Sequence, residues 1–191
     1  MQIGFEGLII LSSVVILSYF AYQTLFDDNL EKVRSSVDDR EYLVQEKDDA
    51  EEAANLMAEI RRRLMTLSEH VYKAFPEDER VILLKSNFDS NVFREGAEGS
   101  GYTSYSLNKG EKIILCLRNK NKLMDINTMM FVVLHELAHL ATKSIGHTEE
   151  FWSNFRWILE EAINIGIYVK QDFKKENVEY CGMTITSSPL D

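Results

Sequence analysis

Between Asn127 and Lys143 the chain reads NTMMFVVLHELAHLATK, and no other stretch limits the fold as tightly. Its aliphatic and aromatic side chains fall on every side of a helical wheel. A helix made from it must therefore be enclosed by the rest of the protein rather than lie on a surface. Asp125 or Asn127 can cap its amino end. Set into this apolar run are His135, Glu136 and His139, and two imidazoles four residues apart leave a helix on one face, about one turn from each other.

Imidazoles at that spacing can grip a single metal ion. Neutral imidazole nitrogen suits Zn2+, which with three protein ligands keeps a fourth position for water and lowers the pKa of that water towards about 7. Glu136 follows the first ligand, where it can act as general base on the water and then return the proton to a leaving amine. The pattern thus predicts hydrolysis of an amide. Three of the four histidines fall between positions 135 and 147, which argues against coincidence. The bland alternative is a helix whose histidines only satisfy buried hydrogen bonds. His70 lacks such neighbours and reads as an ordinary helix-face residue. His147 is the expected third ligand, because Gly146 before it can take a positive φ and turn the chain back towards the metal. Glu160 and Glu161 on the next helix are its rivals, since zinc also accepts two histidines and a glutamate. Glu149 and Glu150 suit that helix's amino-terminal dipole.

A chain of 191 residues with 45% apolar content suffices for one compact domain with an appendage. Its net charge of -10 argues against holding nucleic acid through general electrostatics. From Asp27 to Glu52 eleven acidic residues stand against four basic ones. Gly7 to Phe26 is twenty residues without a formal charge, enough for a helix of about 30 Å. These features predict a transmembrane anchor over 1–26, an acidic helical stalk or coiled coil over 27–52, and a catalytic domain over 53–191. Lys32 and Arg34 after the span place that domain on the cytoplasmic side of a single-pass membrane protein. Within the domain the patterning predicts an amphipathic helix from Ala53 to Phe75 and a first strand at Val81–Leu84. A hairpin of Tyr102–Leu107 with Glu111–Leu117 about Asn108-Lys109-Gly110 follows. Beyond the histidine helix come a helix over Thr148–Ile167 and an extended tail through Tyr180–Ile185. The architecture expected is α+β, with a short, mainly antiparallel sheet. Cys116 and Cys181, far apart and in no metal-ligand spacing, are expected as free thiols in a reducing compartment, with a single bridge between them in an oxidising one as the alternative.

The run HELAHLATKSIGHTEEFW resembles the WLM family of zinc metallopeptidases, relatives of the SprT-like group, in its HExxH, its Gly-His turn and the aromatic pair that follows. His135, Glu136, His139, Gly146, His147, Phe151 and Trp152 match that pattern, and the turn between His139 and His147 is longer than the family's. The resemblance covers Tyr102 to Ile167. It implies a small zincin-like domain in which substrate lies extended along an edge strand of the sheet, here one strand of the hairpin. Tyr102 or Tyr105 is read as an oxyanion donor or a packed hairpin aromatic, Met183 as core packing or a floor beneath the metal, and Cys181 as a distant candidate thiolate ligand. The expected activity is that of a membrane-anchored zinc metallopeptidase acting on protein or peptide substrates. A catalytically silent, membrane-anchored interaction protein of the same fold is the alternative. Some WLM relatives act on DNA-protein crosslinks, but the acidic balance and the apolar segment count against that role here.

Overall fold

The computed structural model describes residues 29–91, 93–96, 104–107 and 112–191. In chain order the elements are β1 (Leu30–Arg34), β2 (Glu41–Gln45), α1 (Ala50–Ala74), α2 (Glu79–Asn87), β3 (Phe93–Glu95), β4 (Tyr105–Leu107) and β5 (Lys112–Leu115). They continue with β6 (Arg118–Asn119), β7 (Lys122–Leu123), α3 (Ile126–Leu140), α4 (Glu149–Asn164), β8 (Val178–Tyr180) and β9 (Met183–Ile185). Helix α1 organises the core. Ala53, Met57, Ile60, Leu64, Leu67 and Val71 recur every three or four residues and are all buried, so one stripe of α1 meets α2, α3, α4 and the β1–β2 hairpin. Helix α3 is enclosed on nearly every side, as its composition requires, with Met129, Met130, Val133, Leu134, Leu137 and Leu140 all buried.

The central sheet has strand order β3-β5-β4. Strand β3 runs parallel to β5, with Phe93 opposite Ile113, and β4 runs antiparallel to it, with Tyr105 opposite Ile114. The sheet is therefore mixed rather than mainly antiparallel, and β4 is one of its edges. Tyr102 and the connection Asn108-Lys109-Gly110 lie outside the described residues.

Four further expectations are corrected. The described part of the acidic segment is an antiparallel hairpin and not a helical stalk: Leu30 stands opposite Gln45 and Arg34 opposite Glu41. Val33, Tyr42 and Val44 pack into the core, a period-two pattern that the density of charge obscures. Its turn closes through Ser35 N to Arg40 O at 2.8 Å, with Asp39 at a φ of 58°. The hairpin is tied to the domain by the Asn55 side-chain oxygen, which accepts from the Ser35 hydroxyl at 2.7 Å and Ser36 N at 2.9 Å. Glu95 of β3 accepts from Gln45 N at 2.7 Å and from the buried Arg118 guanidinium, which also reaches Asp49 at 2.6 Å.

Second, Val81–Leu84 belongs to α2. Asp78 caps that helix by accepting from Arg80 N at 2.9 Å, and Val81 and Leu84 face inward while Ile82 is exposed, a three-residue spacing that a strand cannot produce. Third, the assignment as a single-pass membrane protein with a cytoplasmic catalytic domain is not sustained. No helix among the described residues is long and apolar enough to cross a membrane: α1 has the length, at 25 residues, but carries Arg61, Arg62 and Arg63, and the apolar α3 has only 15 residues, roughly 22 Å against a hydrocarbon core of about 30 Å. The segment Gly7–Phe26 on which that assignment rests lies outside the described residues. Fourth, Cys116 and Cys181 are not free thiols but form a disulfide across 65 positions of sequence. Folding brings the end of the β5 strand beside the β8–β9 turn, a proximity that local sequence does not encode.

Candidate metal centre

The carboxylate of Asp125 fixes where α3 starts, accepting from Asn127 N at 3.0 Å, Thr128 N at 2.9 Å and the Thr128 hydroxyl at 2.7 Å. With the helix phase set and its apolar sides buried, His135 and His139 are the half-buried exceptions on one face. Phe151 from α4, fully buried, packs behind both. Its ring stacks on His139 with centroids 4.3 Å apart and meets His135 edge-on at 4.9 Å and His147 at 4.7 Å.

The turn from α3 to α4 is held by a set of side-chain bonds. Asn154 donates to Ala141 O at 3.1 Å and to the Thr142 hydroxyl at 3.0 Å. Glu150 accepts from Lys143 N at 3.1 Å and Ser144 N at 3.2 Å. Thr148 caps α4 by accepting from Phe151 N at 3.3 Å, and its hydroxyl bonds that of Ser144 at 2.7 Å. Gly146 takes a φ of +83° with open space where a side chain would project, so the backbone conformation, and not crowding, calls for glycine. The result is that His147 returns to the helix face, its Nε2 lying 2.9 Å from His135 Nε2.

One ligand atom from each of His135, His139 and His147 lies within 4.8 Å of the others. Burial pushes the His135 imidazole down to about 3, with the nearby His139 and His147 adding to the effect. Burial, then His147, brings His139 down to about 4. Both rings are thus neutral near pH 7, the form in which imidazole offers a lone pair to a metal. Three imidazoles that converge in this way, two with ring nitrogens face to face, fit a small divalent cation such as Zn2+, and the donor set is all nitrogen. Neither rival glutamate is among them. Glu161 bonds His70 at 2.9 Å, and Glu160 lies 4.0 Å from Arg156 one turn along α4. Cys181, bound to Cys116, has no thiolate to offer.

Glu136 is buried and lines a cleft of 630 Å³ together with the three histidines. Ser104 and Tyr105, at the β4 edge, form part of another wall, and Tyr180, Met183 and Ile185 come from the β8–β9 hairpin. Tyr180 is the functional-site residue that sequence reasoning passed over. Its hydroxyl bonds that of Ser104, which in turn accepts from Cys116 N at 3.0 Å. Burial pushes the Tyr180 phenol well above its ordinary range, the Ser104 bond opposing and the charge of Glu136 reinforcing the shift. The phenol therefore keeps its proton beside the glutamate. The one local signal was its place before Cys181-Gly182, whose φ values of 48° and 83° make the tight β8–β9 turn.

Fold and site together describe a small α+β unit with a candidate three-histidine metal centre beside a buried carboxylate. The chain belongs to the WLM domain family, whose sequence pattern matches residues 38–189, a family associated with zinc-protease-like proteins. Its similar proteins include an uncharacterized protein of Acanthamoeba polyphaga mimivirus, 32% identical over 164 residues, which are 83% of this chain and 83% of that protein. An uncharacterized protein of Invertebrate iridescent virus 3 is 42% identical over 99 residues, 50% of this chain and 59% of that one. Another, of Invertebrate iridescent virus 6, is 34% identical over 82 residues, 41% of this chain and 46% of that one. No solved structure matches the chain.

Proposed function

We propose that this protein is a zinc-dependent metallopeptidase in which His135, His139 and His147 hold the metal and Glu136 is the general base. One observation carries the reading: three imidazoles, two from a helix and one from the turn after it, converge beside a buried carboxylate on the wall of a cleft. Zinc, when bound, supplies a Lewis acid that acidifies water and polarises the carbonyl of the scissile amide. Glu136 takes the proton of the attacking water and delivers it to the departing amine, so that the leaving group need not depart as an anion. Tyr180, its hydroxyl bonded to that of Ser104, sets a phenol in the field of that carboxylate. Strand β4, at the sheet edge with Ser104 and Tyr105 along the cleft, offers backbone groups with which an extended peptide can pair.

The test is made on the full chain. Purified protein should hold about one zinc per chain and cleave unfolded protein substrates. Glu136→Gln should keep the zinc while lowering kcat by roughly two to four orders of magnitude, and undiminished cleavage by that variant refutes the base assignment. Zinc content of His147→Ala compared with Glu161→Gln checks the third ligand: the first substitution should release metal and the second should not.

A further inference from the structure

Exposed large hydrophobic side chains are few among the described residues, and three of them gather round the histidines. Ile145, 90% exposed at the tip of the turn, and Met183, 48% exposed on β9, line the cleft. The Trp152 ring lies 5.7 Å from that of His147. Isolated exposed hydrophobics need no explanation, but a group of them about one site does.

Phe131 and Val132 precede His135 by four and three residues, so they share its face of α3 one turn nearer the amino end. Met183 and Ile185, two apart on β9, point to the same side of their strand. All four line the same cleft. Apart from Glu136 and the histidines, no lining residue among the described residues bears a formal charge, although the whole chain carries -10. A carboxylate seated on this strip would lose its water without gaining a partner, and a lysine would find only Glu136 to pair with.

We infer that Phe131 and Val132 on one side, with Met183 and Ile185 on the other, form a specificity subsite for a bulky aliphatic or aromatic side chain adjoining the scissile bond of a peptide substrate. The chemistry at that bond rests on the metallopeptidase reading, and the binding preference rests only on its metal. The histidine cluster anchors the peptide backbone, and the apolar strip selects the residue beside it.

Two hydroxamic acids that differ only in carrying an isobutyl or a carboxymethyl side chain probe the subsite without turnover. Both are titrated against the full-length, zinc-loaded protein, and a peptide library is digested in parallel. The isobutyl compound should bind roughly tenfold tighter or better, and cleavage sites should be enriched in Leu, Ile, Met or Phe at one flanking position. In Met183→Lys, a change at a half-exposed position that the fold can bear, the order of the two compounds should invert. Equal affinities in the wild-type protein, a preference for the acid, or no binding of either by protein that retains its zinc overturns the subsite. If no peptide is cleaved while the isobutyl preference and its inversion persist, the subsite stands and the hydrolytic reading falls. Cleavage without any preference at a flanking position leaves hydrolysis standing and removes the subsite.

Discussion

The two walls of the cleft are held by different physics. The histidine wall, α3 with α4 and their turn, is fixed by packing: Phe151 and Phe155 press on the imidazoles from a dry core, and the turn's polar groups are satisfied by Thr148, Glu150 and Asn154. The opposite wall, the β8–β9 hairpin, is three residues to a strand and too short to be stable by itself. It is secured by the Cys116–Cys181 bond and by the Tyr180–Ser104 hydroxyl pair. Helix packing therefore builds the candidate metal centre, while covalent and polar fastenings hold the surface that would meet a substrate. Damage to the first should cost both fold and metal, and damage to the second should spare the metal.

The largest effect is expected at Phe151. Phe151→Ala removes the ring that backs all three imidazoles and leaves a cavity in the core, so stability to denaturant should fall by about 3–5 kcal/mol and zinc affinity should fall with it. Undiminished zinc binding by a folded Phe151→Ala protein would show that the ion alone gathers the histidines, and the contrast between the walls would lose its basis.

Next comes the disulfide. Replacing Cys116 and Cys181 together by Ala should lower stability by about 2–4 kcal/mol, the range expected when a closed loop of this kind is opened. Zinc content should be unchanged, and the affinity for an isobutyl hydroxamate should drop because Met183 and Ile185 lose their anchorage. Metal loss of the size seen for Phe151→Ala would erase the distinction between the walls.

That distinction also tracks what could be read from residues alone. Helices α3 and α4 were legible because an apolar run of helix length admits few alternatives, and Gly146 before His147 pointed to a reversal of the chain. Whether His147 or a glutamate of α4 joined the pair was not legible, since the path of seven intervening residues depends on bonds such as Asn154 to Ala141 O. The β1–β2 hairpin escaped because the inward Val33, Tyr42 and Val44 alternate within a sequence dominated by charge. Four apolar residues at Val81–Leu84 suit a strand or a helix equally well, and only the burial of Val81 and Leu84, three apart, with Ile82 exposed settles it. Cys116–Cys181 and Tyr180–Ser104 join positions 65 and 76 residues apart, and contacts at such separations follow from tertiary docking that no local pattern announces.

A smaller effect is expected from Tyr180→Phe. Loss of the hydroxyl leaves Ser104 with Cys116 N as its remaining partner, and stability should fall by about 1–1.5 kcal/mol. Because the phenol lies in the field of Glu136, kcat on a peptide substrate should fall while KM and zinc content hold. A rise in KM with kcat intact would reassign Tyr180 to substrate contact instead of support for the base.

The smallest effect tests whether the histidine wall relies on its turn as well as its core. Thr148 serves two masters: it caps α4 through Phe151 N, and its hydroxyl fastens Ser144 across the loop that carries His147. Thr148→Ala should lower stability by about 1 kcal/mol, the usual effect of a lost amino-terminal cap, and should weaken zinc binding because His147 adjoins the freed loop. Thr148→Asn keeps a capping oxygen for the helix but alters the reach to Ser144. If Asn restores thermal stability without restoring zinc affinity, the Ser144 bond positions His147; if it restores both, the cap alone sets the turn. Should neither substitution change zinc affinity, the Phe151 packing positions His147 by itself, and the polar fastenings of the cleft belong to the β8–β9 wall alone.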